Sequence, residues 1–267
     1  MTDFARKVRE LTLQTSFYGH DGNLQSVFSS IDIICALYEN VLAIDPKDPA
    51  SPDRDYFVLS KGQATMGLLA VLAAQGFFPE EELKTACKFD SRISMQADRT
   101  KLPGIEISAG SLGHGFPMAA GIAYALKNKT RKNKVYILAG DGEMNEGTMW
   151  EAALFVGSER LSNLTLIIDD NNSIQEMLDM GSLESKLTTF GFECFTVNGH
   201  DQDEILSAVS KTADRPKAII AKTRRGYGSK TLMENREWFH RAPNKDELNM
   251  LLEDVRSFES SNEKQCH

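Results

Sequence analysis

The sequence predicts an α/β fold, a doubly wound parallel sheet with helices on both faces, and three observations carry that expectation. Short apolar runs alternate with stretches of helical period along the chain, as repeated strand-helix units require. Two of the runs, Val135-Tyr136-Ile137-Leu138-Ala139 and Leu164-Thr165-Leu166-Ile167-Ile168, each lead into a polar cluster, Gly140-Asp141-Gly142 and Asp169-Asp170-Asn171-Asn172. With 267 residues, 41% hydrophobic and 25% charged, the chain can bury a sizeable core and has an ordinary globular composition. A single domain over 1–267 accounts for it, with a frayed polar tail over 259–267 and no repeat, linker or low-complexity block.

Taken in order, Asp3 to Tyr18 carries Phe4, Val8 and Leu11 at helical spacing, and Gly19-His20-Asp21-Gly22 breaks the helix. A second helix is expected to start at Ser29-Ser30, read as caps, and to run through Ile31, Ile34, Leu37, Tyr38 and Leu42 until Asp45-Pro46-Lys47-Asp48-Pro49 stops it. Tyr56 to Leu59 reads as a strand, Ser60 to Ala64 as a turn, and Met66 to Gln75 as a helix closed by Gly76. Residues 89–102 are polar and irregular. The glycine-containing loop Pro103 to Gly115 leads into a helix, Phe116 to Lys127, rich in Ala and Gly. After the two strands quoted above come a helix from Leu183 to Phe190, a strand Glu193 to Val197, and a helix Asp201 to Lys211 capped by Asp201. A strand Lys217 to Lys222, a loop through Pro243 and a helix Lys245 to Phe258 complete the chain.

The formal net charge of −8 and a pI near 5.3 do not favour nucleic acid or an anionic membrane as partner. Lys222-Thr223-Arg224-Arg225 is a local exception, read either as a solvated strand end or as a phosphate contact. Cys35, Cys87, Cys194 and Cys266 have no paired spacing, and free buried thiols suit a reducing compartment. No apolar run approaches the roughly 20 residues of a membrane span, so a cytoplasmic protein is expected.

Asp141 and Asn171 lie 30 positions apart (171 − 141) at the ends of successive strands. Parallel pairing would bring both to the carboxyl edge of the sheet, where oxygen ligands can hold a hard divalent cation. Each cluster by itself is equally a turn. Gly140-Asp141-Gly142 followed by Asn171 is similar to the thiamine diphosphate fingerprint, and Gly142-Glu143-Met144-Asn145-Glu146-Gly147 with Trp150-Glu151-Ala152 resembles its transketolase version. The likeness covers nearly the whole chain but only the N-terminal, diphosphate-binding half of a full-length transketolase.

The resemblance implies thiamine diphosphate with Mg2+ (or Ca2+ or Mn2+), the metal held by Asp141, Asn171 and the carbonyl of Ser173, with the neighbouring Asn172 leaving the register open by one residue. It implies cofactor contacts from Gly110, Ser111, Leu112, Gly142, Glu143 and Gln63, and catalytic roles for His20, His114 and Glu146. His114 is also open to reading as a helix-start residue. Glu146 matches the glutamate that reaches across the subunit interface toward a carboxylate on the pyrimidine-binding domain, which these 267 residues lack. The implied partner is therefore a separately encoded C-terminal-type subunit in an α2β2 assembly.

On the substrate side the family pattern supplies His20, Gln63, Gln96, Phe239 and His240. Four positions depart from it: Gln63, Gln96 and Phe239 stand where the family carries histidine, and Asp21 stands in place of a proline. Gln only hydrogen-bonds and Phe only packs, whereas His exchanges protons near neutrality. The implied activity is transfer of a two-carbon ketol unit. The alternatives are acyl transfer to a lipoyl or carrier-protein thiol, decarboxylation of a 2-oxo acid, or an inactive regulatory half.

Overall fold

The computed structural model describes residues 1–173, 178, 180–235, 237–238 and 240–259. Five strands form one sheet: β1 (Tyr56–Leu59), β2 (Val135–Gly140), β3 (Leu164–Asp170), β4 (Glu193–Asn198) and β5 (Lys217–Lys222). All pairings are parallel and the order is β1-β2-β3-β5-β4. The helices are α1 (Asp3–Gly19), α2 (Leu24–Asn40), α3 (Thr65–Gln75), α4 (Gly115–Asn128), α5 (Gly147–Ser158), α6 (Leu183–Thr189), α7 (Gln202–Ser210), α8 (Lys230–Glu234) and α9 (Lys245–Ser257).

Strand side chains alternate between two cores, which is why the runs are apolar throughout rather than every second residue. Phe57, Leu59, Tyr136, Leu138, Ile167, Ile219 and Ala221 pack against α1, α2, α3, α7 and α9. Val58, Val135, Ile137, Ala139, Leu166, Ile168 and Ala218 pack against α4, α5 and Leu187 of α6. The expected doubly wound arrangement is what forms. Among the described residues no helix is long and apolar enough to cross a membrane.

Three local expectations are corrected. Helix α2 begins at Leu24, so Ser29 and Ser30 are not caps but buried mid-helix residues, their hydroxyls reaching back to the Ser26 carbonyl at 2.9 and 3.4 Å. Strand β3 runs on through Asp169 and Asp170, which are therefore strand residues rather than a turn. Cys87 is exposed, at positive φ in the loop after a 3-10 turn over Glu80–Thr85, whereas Cys35 is buried as expected. The cap assignment of Asp201 holds: its carboxylate accepts from the N–H groups of Asp203 and Glu204. Of the expected tail, residues 260–267, Cys266 among them, lie outside the described residues.

Candidate active site

The carboxyl edge of the sheet collects the polar residues. The hydrogen-bond ladder sets Gly140 beside Asp169, and the Asp141 N–H donates to the Asp169 carbonyl at 3.1 Å, locking the two polar clusters together. Asp141 is 5% exposed. Its Oδ1 accepts from the Gly142 N–H (2.8 Å) and the Ser173 hydroxyl (2.5 Å), and its Oδ2 from the Ser173 N–H (2.7 Å). Burial pushes the Asp141 carboxyl up, against the lowering effect of the Ser173 and Gly142 donors, and the nearby Asp169 charge adds to the rise. A buried carboxylate with a raised proton affinity is one that a cation would relieve.

Asn171 is also buried, and its Nδ2 donates to Ser29 Oγ at 3.1 Å. Its Oδ1 is buried and has no hydrogen-bond partner among the described residues. An amide oxygen shut away from water without a donor is costly, and a bound cation is one of the few groups that satisfies it. Asn172 is exposed at positive φ, so of the two registers it is Asn171 that turns inward. Ser173 meets Asp141 through its N–H and hydroxyl. The donor set at this edge, a carboxylate and an unpaired amide oxygen, fits a hard divalent ion.

Beneath these residues lies a polar cluster that the sequence alone does not reveal. Lys61 Nζ is 2.5 Å from Asp169 Oδ2, 3.0 Å from Ser30 Oγ, 3.2 Å from Ser29 Oγ and 2.7 Å from the Ser26 carbonyl. Ser29, Ser30 and Thr223 donate to the same carboxylate. Burial alone would raise the Asp169 carboxyl, but the Lys61 ammonium and the hydroxyl donors outweigh it and hold it below the usual carboxylate range. The available signal was a lysine and an aspartate placed at the ends of otherwise apolar strands. Lys222 pairs with Asp170, so this end of the basic run is bound to the sheet edge.

Glu143 does not face the cleft. It is 1% exposed, and its Oε1 accepts from the Ser60 hydroxyl (2.5 Å) and the Gly113 N–H (2.9 Å), while Oε2 lies 3.4 Å from the Gly140 N–H. Its side chain therefore ties the 110–113 loop to the ends of β1 and β2. Burial pushes its carboxyl up, opposed by those same donors. Gly113 sits at φ +81°, where a Cβ would fall 2.6 Å from Thr148 Oγ1 and 2.7 Å from Glu146 Cβ, so only glycine fits this turn. Thr148 also donates to the Gly113 carbonyl at 2.7 Å. Ser111 and Leu112 reach the surface of this loop, and His114 is exposed with Nδ1 3.1 Å from the Leu112 carbonyl. Glu146 is exposed immediately before α5.

A cleft of about 140 Å3 is lined by Asp21, Asn23, Gln63, Gln96, Gly110 and His240 among others. It brings together Gln63, Gln96 and His240, from three distant parts of the chain. The Gln96 amide oxygen lies directly on Gly110, where a Cβ would overlap it. His20 is exposed at the left-handed end of α1 and does not line this cleft, although Asp21 next to it does. Phe239 lies outside the described residues. A second cavity of about 270 Å3 opens beside Asp141, Asp170 and Lys222. A larger one, about 640 Å3, sits at the opposite edge of the sheet near Lys134, Thr165 and Lys217, away from Asp141.

A second buried polar group ties α1 and α2 to the loops after β4 and β5. Arg9 donates to both Asp32 oxygens at 2.9 and 2.8 Å and to the Tyr227 carbonyl at 2.9 Å. His200 Nδ1 lies 2.8 Å from Asp32 Oδ2, its Nε2 accepts from the Arg224 N–H, and its ring stacks on Tyr227 at 3.6 Å. With both nitrogens engaged by the fold, this His-Asp pair is structural.

Comparison with known proteins agrees with this geometry. The family profile described as transketolase, thiamine diphosphate binding domain, matches residues 2–261. An apulose-4-phosphate transketolase component of Actinobacillus succinogenes, itself one subunit of that enzyme, is 36% identical over 259 residues, covering 94% of this chain and 92% of that protein. A 6-deoxy-6-sulfo-D-fructose transketolase subunit of a Clostridium species is 36% identical over 233 residues, covering 84% and 85%. Among solved structures, transketolase of Campylobacter jejuni superposes with a TM-score of 0.87 at 26% identity, over 95% of this chain and 42% of that one. The chain thus spans the length of the subunit-type relatives and about two fifths of a solved full-length transketolase.

Proposed function

The chain belongs to the transketolase family, and from that premise we propose that it is the diphosphate-binding subunit of a two-component transketolase that transfers a two-carbon ketol unit. The family profile's span over residues 2–261 supports reading it as one such domain. The observation that carries the reading is that the carboxyl edge of the sheet presents both the buried Asp141 carboxylate and the Asn171 Oδ1, unpartnered among the described residues.

In this reading Asp141 and Asn171, with the Ser173 carbonyl, would hold Mg2+ at the diphosphate end of the cofactor, and the Gly142 N–H holds the Asp141 carboxylate in place. Thiamine diphosphate, when bound, supplies the nucleophilic carbon and the electron sink for breaking the carbon-carbon bond. Gly110, Ser111 and Leu112, on the loop braced by Glu143, would lie toward its rings. Gln63, Gln96 and His240 would hydrogen-bond substrate hydroxyls in the cleft they line, with His20 just outside it next to Asp21. Exposed Glu146 reaches to the partner subunit, and exposed Leu154 and Phe155 on the helix it precedes suit burial by that partner. The two subunit-type relatives act, by their names, on apulose 4-phosphate and 6-deoxy-6-sulfo-D-fructose, which supports a modified sugar as donor here.

The test is reconstitution. The chain alone, supplied with thiamine diphosphate and Mg2+, is expected to show no ketol transfer. Adding the separately encoded C-terminal-type subunit is expected to restore it. Full activity without a partner would overturn the two-component reading, and no transfer from any ketose by the reconstituted pair would overturn the ketol-transfer reading.

A further inference from the structure

The buried serines of α2 bear on which way Asn171 points. Ser29 Oγ lies 2.7 Å from Asp169 Oδ2, 3.2 Å from Lys61 Nζ and 3.1 Å from Asn171 Nδ2. A hydroxyl has one proton to give and two lone pairs to receive with. The Asp169 carboxylate only accepts and the Lys61 ammonium only donates. Ser29 therefore gives its proton toward Asp169, or toward the Ser26 carbonyl at 2.9 Å, and receives from Lys61. Any further neighbour can meet it only as a donor. Asn171 accordingly presents its NH2 end to Ser29, and its oxygen is the end left without a partner. Turned by 180°, the amide would set oxygen against an oxygen whose proton is already committed.

We propose that Ser29 is a positioning residue for the divalent-ion site: it fixes the Asn171 amide so that Oδ1 faces the ion, while Lys61 and Asp169 fix the direction of the Ser29 proton. This rests on the cofactor reading above. Ser30 makes the contrast, because it donates to the same Asp169 oxygen and meets the same lysine but does not touch Asn171.

The experiment measures Mn2+ binding to the full chain in the presence of thiamine diphosphate, from the paramagnetic resonance signal of the free ion, together with the melting temperature of the metal-free chain. Ser29→Ala is expected to weaken Mn2+ binding by about 10–100-fold, the usual effect of removing a group that orients a metal ligand. Ser30→Ala is expected to lower the melting temperature to a similar degree but to leave Mn2+ binding close to wild type. In an Asn171→Asp background, where both ends of the side chain are oxygen, the effect of Ser29→Ala on ion binding is expected to vanish. Equal losses of ion binding in the two serine variants, or a Ser29→Ala effect that persists alongside Asn171→Asp, would overturn the positioning role. Wild-type Mn2+ binding that Ser29→Ala leaves unchanged would overturn it while the cofactor reading stands, whereas a wild-type chain that takes up no Mn2+ would overturn both.

Discussion

Replacing Glu143 separates a brace from a charge. Its carboxylate holds two buried donors at full hydrogen-bond length, the Ser60 hydroxyl at 2.5 Å and the Gly113 N–H at 2.9 Å, and a third, the Gly140 N–H, only at 3.4 Å. Glu143→Ala leaves the first two unpaired. At about 1–3 kcal/mol for each stranded buried donor the loss is on the order of 2–6 kcal/mol, and roughly 3 is expected after the relief of no longer burying a carboxylate. For a chain of this size each kcal/mol moves the melting temperature by about 2–4 °C, so Glu143→Ala is expected to melt about 6–12 °C lower. Glu143→Gln keeps an oxygen for Ser60 and Gly113 and forfeits only the long contact, costing about 1 kcal/mol or less. Denaturant unfolding followed by circular dichroism measures both, and thiamine diphosphate titration should show weaker binding for Glu143→Ala as the 110–113 loop loosens. A Glu143→Ala chain within about 1 kcal/mol of wild type would show that the donors find other partners. Equal losses in the two variants would show that charge, not acceptor geometry, holds the loop.

Asp32→Ala would leave the fully buried Arg9 guanidinium without its counter-charge and is expected to cost about 3–5 kcal/mol in denaturant unfolding. Burial alone would raise the Asp32 carboxyl, yet Arg9 and His200 hold it well below the usual carboxylate range. Its stabilising contribution is therefore complete above the unfolded-state value of about 4 and is lost as pH falls below it, so the acid limb of the stability curve should flatten in Asp32→Ala. The Tyr136 phenol is pushed up to about 12 by burial and by the Asp55 charge. It favours the folded chain fully below the ordinary value near pH 10 and ceases to do so as pH climbs through 12, and Tyr136→Phe should remove absorbance at 295 nm from that late step alone. Gln63→His would add a group titrating near pH 6.5 to the cleft and should introduce a new limb in the pH profile of kcat/KM, and an unchanged profile would show that Gln63 does not meet the substrate.

The sheet was legible because the signals that define it are local. An apolar run between helical stretches specifies a strand buried on both faces whatever lies elsewhere, and β1, β2, β3 and β5 fall where such runs stand. The start of α2 was not, because Ser29 and Ser30 are good caps by type and only their burial opposite Asp169 shows otherwise. Cys87 failed for a similar reason: a free thiol is buried by type, and the chain instead turns there at positive φ and leaves it exposed.

The same division runs through the candidate site. Asp141 and Asn171 could be placed at the same edge from sequence because parallel pairing of two successive strands fixes their relative position, and of the two neighbouring amides Asn171 is buried and Asn172 exposed. Glu143, Lys61 and Asp169 could not be assigned in that way. Each is a charged residue whose meaning depends on partners 30 to 140 positions away in the chain, such as Gly113 for Glu143 and Ser29 for Asp169. A charge inside an apolar neighbourhood announces that a partner must exist, since an unpaired buried charge is prohibitively costly, but it does not say which. In this chain the partners form a contiguous path from Lys61 through Asp169 and Ser29 to the Asn171 amide. The residues hardest to read from sequence are thus those that determine how the most readable ones are held.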